Sequence, residues 1–398
     1  MTEISDDARL AQVWDQFCDQ LKAAKDVVFR KTAPSAAIDR AAGLRMLSRN
    51  IATALDKICE NADPLHPELT HSNDWRRKFG GDNPDGIIHS APLNGIDTFR
   101  ISGTLGSAAF TAFTIKESGG TPHGGPTIAS MFGHTMHVEP DGSFEIFLSP
   151  EPPEPRPKNW LQTTPKTYNL TIRQYFADWE NEQLMEMYID RLGTAVPPPD
   201  ITVESISEGL LHSAQWLDDV AAYWADMIEK WQKRPMEFLS FRQMTSNSIS
   251  ATPGGEPLLC YWECAADEAL VIRVIPPRAT FWNFEFGNWW FESMDYRYRL
   301  ASTNSHYAEL EDDGELILVV SHDDPGLPNW LDASGFSAGY LACRWIGAES
   351  APQPGIKCVP RVDLFKHLPP SVKKIDSVRR QEQLAARRRG VMRRFAGY

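Results

Sequence analysis

Two blocks of short runs in which apolar and polar residues alternate, separated by a stretch of helical spacing, constrain this chain more than any other feature. In the first block Thr98 to Ser102, Ser107 to Ile115, His134 to Glu139, Ser143 to Ser149 and Asn169 to Tyr175 read as strands. In the second, Leu258 to Glu263, Ala269 to Ile275, Thr280 to Phe286, Glu315 to Ser321 and Tyr340 to Ile346 do so. Between them the apolar spacing turns helical, from Trp179 to Leu192 and more clearly from Val203 to Trp231. Repeated helical crossovers are missing, so the strands are expected to pair antiparallel. The predicted fold is mainly β with α additions, built on an antiparallel β-sandwich or jelly-roll core. Pro140-Asp141-Gly142 predicts a hairpin between the runs that flank it.

Two amphipathic helices precede the strands, over Leu10 to Phe29 and Ala41 to Cys59, and the turn-rich stretch from Asn61 to Asp85 ends them. The expected organisation is a helical region at 1–62, a first β region at 75–178, a helical insert at 179–235, a second β region at 256–350, and a Pro-rich linker with a basic helical tail at 351–398. No internal repeat is evident.

The net charge is −13, and Lys373 to Arg394 holds nine Lys or Arg against two acids, leaving −20 on the rest. A body so acidic argues against nucleic acid and anionic membranes as partners. The basic tail is expected to pack on an acidic surface of its own chain or of a sister subunit, which makes a homo-oligomer an expectation. No run of eighteen apolar residues and no export signal is present, and six dispersed cysteines without a C-x-x-C pair suit reduced thiols, so a cytoplasmic protein is expected.

The densest candidate site runs from Arg278 to Glu292. On a strand Thr280, Trp282, Phe284 and Phe286 point one way, and Phe281, Asn283 and Glu285 the other. The second face suits either a pocket wall or ordinary core, and Asn288, Trp289 and Glu292 extend it. Next comes Ser321 to Asp332, whose loop could present His322, Asp323, Asn329, Trp330 and Asp332 or could be plain turn chemistry. Gly80-Gly81-Asp82-Asn83-Pro84-Asp85 lacks a phosphate-cradle pattern and reads first as a turn, with Asp82 and Asn83 as candidate contacts and Asp85 as a further carboxylate. His134 and His137 beside Glu139, with His123 upstream, have poor metal spacing, so no metal and no cofactor is expected. Gly335-Phe336-Ser337-Ala338-Gly339 matches G-x-S-x-G but lacks the strand-before, helix-after context of a nucleophile elbow.

Several of these segments, namely Gly80 to Asp85, Ser149-Pro150-Glu151, Asn159-Trp160-Leu161 and above all Ser321 to Asp332, resemble the bacterial family known as domain of unknown function 1214 over residues 75 to 350. That resemblance implies a β-sandwich or jelly-roll core and no assigned activity. From the residues themselves, the expected function is a metal-independent acid/base lyase or hydrolase acting on an apolar or aromatic small molecule with a polar or anionic edge. Glu285, Glu292 and Asp323 are its candidate acids and bases, and Arg278 or Arg344 its anion contacts. Asn283, Asn288, Trp289, His322, Asn329, Trp330, Asp332, Asp82 and Asn83 are candidate ligand contacts. A carbohydrate-active or sugar-binding module, for which tryptophan faces and paired carboxylates also serve, is one alternative. A non-catalytic oligomeric scaffold is the other.

Overall fold

The computed structural model describes residues 5–71, 73–193, 197–245 and 252–396. Two helices open it: α1 (Asp6–Ala23), capped by the Ser5 hydroxyl, and, after the single turn α2 (Lys25–Val28), α3 (Ala37–Ala54), which runs into a π-helical turn at Leu55–Glu60. Nine strands follow: β1 (Thr70–His71), β2 (Gly86–Pro92), β3 (Phe99–Thr104), β4 (Phe110–Glu117), β5 (Thr127–Phe132), β6 (Ser143–Ser149), β7 (Trp160–Gln162), β8 (Thr167–Tyr175) and β9 (Glu186–Arg191). The long helix α4 (Val203–Trp231) starts at a capping box between Thr202 and Ser205. Around the short helix α5 (Phe241–Met244) come β10 (Leu239–Ser240), β11 (Gly255–Glu263), β12 (Glu268–Val274), β13 (Phe281–Asn288), β14 (Ser302–Asn304), β15 (Leu316–Ser321), β16 (Trp330–Asp332), β17 (Ala338–Ile346) and β18 (Gly355–Pro360). The chain closes with α6 (Ser377–Arg394).

The strands form four sheets, and their order shows that the second nine repeat the first. Sheets β1-β2-β8-β4-β5 and β7-β6-β3-β9 recur as β10-β11-β17-β13-β14 and β16-β15-β12-β18, each strand matched by the one nine places later. The pairing registers agree as well. Phe110 opposes Tyr175 as Phe281 opposes Ile346, and the parallel pair Leu148–Leu161 recurs as Val320–Leu331. Even the loop locks are duplicated: Asn159 and Asn329 each use a side-chain amide to clamp two backbone carbonyls, of His137 and Glu145 in one half and of Glu309 and Ile317 in the other. The absence of a repeat expected from the sequence is thus corrected. Side-chain divergence hides a duplication that backbone pairing preserves.

In each half a five-stranded sheet packs on a four-stranded one. Phe99, Ile101, Phe113, Ile115, Ile146 and Ile172 fill the first sandwich, and Leu270, Ile272, Trp282, Phe284, Phe286 and Leu318 the second. Each such side chain contributes about 2 kcal/mol by leaving water. The expected faces of β13 are observed: Trp282, Phe284 and Phe286 enter the sandwich, whereas Asn283 and Glu285 lie on the opposite face of the sheet.

Two strand expectations change. Residues 179–192, read as helical, hold a turn and the edge strand β9, because Met187 and Ile189 pack inward at period two while Tyr188 stays 69% exposed. His134 to Glu139 is not a strand, although the turn at Asp141 and Gly142 forms as expected and Asp141 accepts the Ser143 N–H. The Pro-rich linker also contains β18, paired with β12.

The basic helix α6 packs on its own chain. Arg379 pairs with Glu309, Arg380 with Asp324 and Arg389 with Glu180, while Arg387 and Arg394 lie over the Trp179 ring at 4.6 and 4.2 Å. Among the described residues no helix is long and apolar enough to cross a membrane. The cysteines are free thiols.

Halves and tail meet at Asp85, which is fully buried. Its carboxylate accepts hydrogen bonds from Trp179 Nε1 (2.8 Å), Asn283 Nδ2 (2.7 Å) and Asn304 Nδ2 (2.7 Å), and Arg394 donates to the neighbouring Pro84 carbonyl. Removing the acceptor strands several buried donors. Asp85→Ala is expected to lower unfolding stability by about 3 kcal/mol, read as a shift of the urea midpoint, with a smaller loss for Asp85→Asn; an unchanged midpoint for Asp85→Ala would show that the node is dispensable.

Candidate functional site

Polar alternates on the outer face of the first five-stranded sheet build the floor of a cavity of about 730 Å³. Registers set this face in rows: Pro92, Asn169 and Lys116 lie side by side, then Ser90 and Thr171 beside Thr114, then Ile88 and Arg173 beside Ala112, with Thr114 and Ala112 outside the cavity lining. The pairing of β4 shifts register on both sides of Lys116, against β5 before it and against β8 after it. Such irregularities re-aim side chains and gather beside functional sites. The roof comes from elsewhere in the chain: Lys57 from the π-helical turn, Phe79 to Gly81 from the turn-rich loop, His123 from the loop after β4, and Trp216 and Trp224 from α4.

The wall is cationic and aromatic. Lys57, Lys116, Arg173 and Arg344 all line the cavity, and no Asp or Glu is among the described residues that do. Burial, reinforced by the charges of Arg173 and Lys57, pushes the Lys116 amine down to about 7. Burial likewise lowers Lys57 and Arg173 from their ordinary values, though a guanidinium keeps its charge. His123 is held down to about 3 by burial and by Lys116 and Lys57, so its imidazole is neutral. Its Nε2 and the Nε1 of Trp224 are buried without a hydrogen-bond partner among the described residues. The His123 ring stacks on Phe79 (centroids 5.5 Å apart) and meets Trp224 edge-on (5.0 Å). Tyr168, pushed up to about 12 by burial, donates to the His123 carbonyl.

The duplicated half shows what this face looks like when its arginine is neutralised. Arg344, two residues before the end of β17, occupies the place of Arg173 two before the end of β8, and Glu285 on β13 occupies the place of Thr114 on β4. Among the described residues Arg173 bonds only the Thr114 hydroxyl, at 3.3 Å, whereas Arg344 is clamped by Glu285 through contacts of 2.7 and 2.9 Å. Burial works against the Arg344 charge, but Glu285 holds its proton more firmly than usual; burial also pushes the Glu285 carboxyl up to about 7. Gly287 stands where Lys116 does, and a Cβ there would lie 1.9 Å from the Tyr340 ring, which fills the space. Trp289, Trp290, Phe291 and Tyr340 pack with α4 over this face.

The residues expected from sequence to form one site are spread over several places. Glu285 pairs with Arg344, Glu292 is buried against Arg49 (2.9 Å), and Asp323 is exposed beside Arg361. Residues 278–292 and 322–332 share neither cavity: Asn83 and Arg344 line the first, while Asn329 and Trp330 line a smaller one of about 440 Å³ under α6. Asn283 bonds Asn83 and Asp85, Asp82 accepts from Ser293, and the side-chain Oδ1 of Asn288 accepts the Trp290 N–H. Trp289 is core, Asp332 pairs with Arg299, and His322 approaches the Cys264 carbonyl. Arg278 is exposed near Glu349. His137 and Glu139 pair on the surface with Lys158, away from His123, and Ser337 precedes β17 with its carbonyl bonded to Cys264. Lys116 and Arg173 are not among the residues expected from sequence, and His123 is expected there only as a poor metal ligand. The legible signal was a basic residue at alternate positions of strands whose other face is apolar, as in Leu170, Ile172 and Arg173.

With this geometry in view, the comparisons place the chain. The family model described as "Protein of unknown function (DUF1214)" matches residues 89–178, and the crystal structure of an uncharacterized Burkholderia cenocepacia protein is 30% identical, with a TM-score of 0.84, covering 90% of this chain and 99% of that one. The chain belongs to the DUF1214 family. The VPA0106 protein of Vibrio parahaemolyticus is 13% identical at a TM-score of 0.45, covering 85% of this chain and 100% of that chain. No curated protein matches. The family match is narrower than the 75–350 read from sequence and falls on the first half, where it contains Lys116, His123 and Arg173. The run at Ser321 to Asp332, which carried the resemblance most strongly, is the second-half counterpart of Ser149 to Gln162 inside the match.

The depressed Lys116 fixes the sign of a pH effect. In the unfolded chain the amine holds its proton to about 10.5, and in the fold only to about 7. The unfolded state therefore binds more protons between those values, so this group lets stability rise with pH across the window. Lys116→Met, which removes the buried amine, is expected to be more stable than wild type by about 2 kcal/mol or more at pH 7 and below, with the gap closing toward pH 10. Denaturant titrations at pH 6, 8 and 10 read the difference, and a gap that widens with pH would contradict it.

Proposed function

We propose that the chain is an enzyme acting on a small organic anion with an apolar or aromatic body, held in the first-half cavity, with Lys116 as its reactive group. One observation carries this reading: three cationic side chains, Lys57, Lys116 and Arg173, converge on a cavity with no acidic lining residue among the described residues, while the duplicated half neutralises its own arginine with Glu285. Buried like charges repel one another, and an anion between them relieves that repulsion. The volume suits a small-molecule site, and Phe79, Trp216 and Trp224 supply apolar wall for the body of the ligand. An amine that titrates near neutrality suits proton transfer, and a bound anion would raise its proton affinity so that binding takes up a proton. Among the classes expected from sequence this supports a metal-independent lyase or hydrolase on an anionic substrate, with the reacting groups on β4 and β8 rather than on β13.

Phenylacetate and phenylpyruvate are expected to raise the melting temperature at low salt, the neutral phenylacetamide much less. Thr114→Glu puts a carboxylate where the second half has Glu285 and is expected to weaken carboxylate binding at least tenfold in calorimetry while the fold is retained. Equal stabilisation by the amide, or stabilisation by saccharides alone, would overturn the reading.

A further inference from the structure

We propose that Lys116 forms an imine with the carbonyl carbon of a 2-oxo acid whose carboxylate is held by Arg173. The inference rests on the anion-site reading above and names its substrate class and covalent step.

Lys116 is buried on the cavity floor, and no hydrogen bond or ion pair joins its amine to another described residue. A structural buried lysine looks different in this same chain: Lys78 is satisfied by the Ser293 hydroxyl and by the Ser293 and Met294 carbonyls at 2.7 to 2.8 Å. Lys116 is instead left with cations for neighbours, the setting in which a lysine becomes a neutral nucleophile. Its register is broken on both sides. Arg173 leans to Thr114, which lies two residues before Lys116 on the same face, roughly 7 Å along the strand between their Cα atoms, so guanidinium and amine rise from neighbouring rows of the sheet. Two such neighbouring groups suit a ligand whose carboxylate and electrophilic carbon are adjacent. An arginine fork suits the carboxylate, and a desolvated amine suits the carbonyl. His123, neutral and with a ring nitrogen that has no hydrogen-bond partner among the described residues, feels the charge of Lys116 and can relay a proton.

The step balances without a further reactant. The amine lone pair attacks the carbonyl carbon and forms a C–N bond; the π pair moves to oxygen, which takes a proton from the former amine through His123. Loss of that oxygen as water, with one further proton taken from solvent, leaves a protonated C=N on Lys116. The resulting cation withdraws electrons from the carbon on the side of the imine away from the carboxylate, which assists proton loss from that carbon or cleavage of its bond to the next one.

The full chain is incubated with phenylpyruvate and sodium borohydride, and the products are read by intact mass and peptide mapping. The expected result is one reduced adduct per chain on the peptide containing Lys116, absent in Lys116→Met, lowered at least tenfold in Thr114→Glu, and blocked in wild type by phenylacetate, which has no ketone. Phenylacetaldehyde, a carbonyl without a carboxylate, is expected to label Lys116 no faster than surface lysines. If phenylpyruvate raises the melting temperature yet leaves Lys116 unlabelled, or labels surface lysines equally, the imine is overturned and the anion site stands. If phenylpyruvate and phenylacetate both fail to bind, both readings fall.

Discussion

A carboxylate with no access to water must be surrounded by donors, and at Asp85 those donors come from parts of the chain far apart in sequence. Trp179 belongs to the end of the first sandwich, Asn283 and Asn304 to the second, and Arg394 beside it to the last turn of α6. None of these segments can satisfy the charge alone, so the two halves and the tail close together or leave a buried acceptor unmet. The same loop carries Asp82, which holds Ser293, and Gly81, whose carbonyl accepts from Arg344. The cavity roof at Phe79 to Gly81 is therefore positioned by the joint that assembles the molecule.

Duplication gives the chain its own control experiment. Two copies of one nine-strand arrangement present the same outer face, and each brings an arginine to the same point of it. In the second copy a carboxylate, a glycine and a tyrosine at matched positions neutralise and fill that face, and helix α4 seals it with Trp224 and Trp231. In the first copy a threonine, a lysine and an asparagine take those three places, and the same helix spans an opening. Leaving cations unneutralised in a low-dielectric site costs stability, and a site that keeps such a cost is one in which the charge has a task. The family match on residues 89–178 falls on the copy that keeps it.

Much of this fold was legible. Alternation located most strands within a few residues, the three clearest helices were evident from spacing, and the facing of β13 followed from period two alone. Trp179 to Leu192 was misread because Met185, Met187, Ile189 and Leu192 satisfy a helical spacing nearly as well as a strand spacing over so short a run. The repeat was missed because cores preserve size and polarity, not identity: matched positions such as Thr114 and Glu285, or Asn169 and Tyr340, share backbone pairing and nothing chemical. The aromatic density from Arg278 to Glu292 does not mark the cavity, since packing against α4 uses Trp289 and Trp290 as core and leaves Phe291 among the lining.

What the sequence determined by itself is local: which segments are strands or helices, which side chains share a face, and that an acidic body carries a basic helix able to dock on it. Those properties depend on neighbours a few residues away, through backbone geometry and the cost of exposing apolar surface. Tertiary structure alone decided which polar face is covered and which is left open, since that depends on where α4 and the Phe79 to Gly81 loop cross each sheet. It also decided the state of the charged groups. Arg344 beside Glu285 is a closed ion pair, and Arg173 beside Thr114 is an open cation, because an electrostatic environment is set by contacts that bring together residues far apart in the chain.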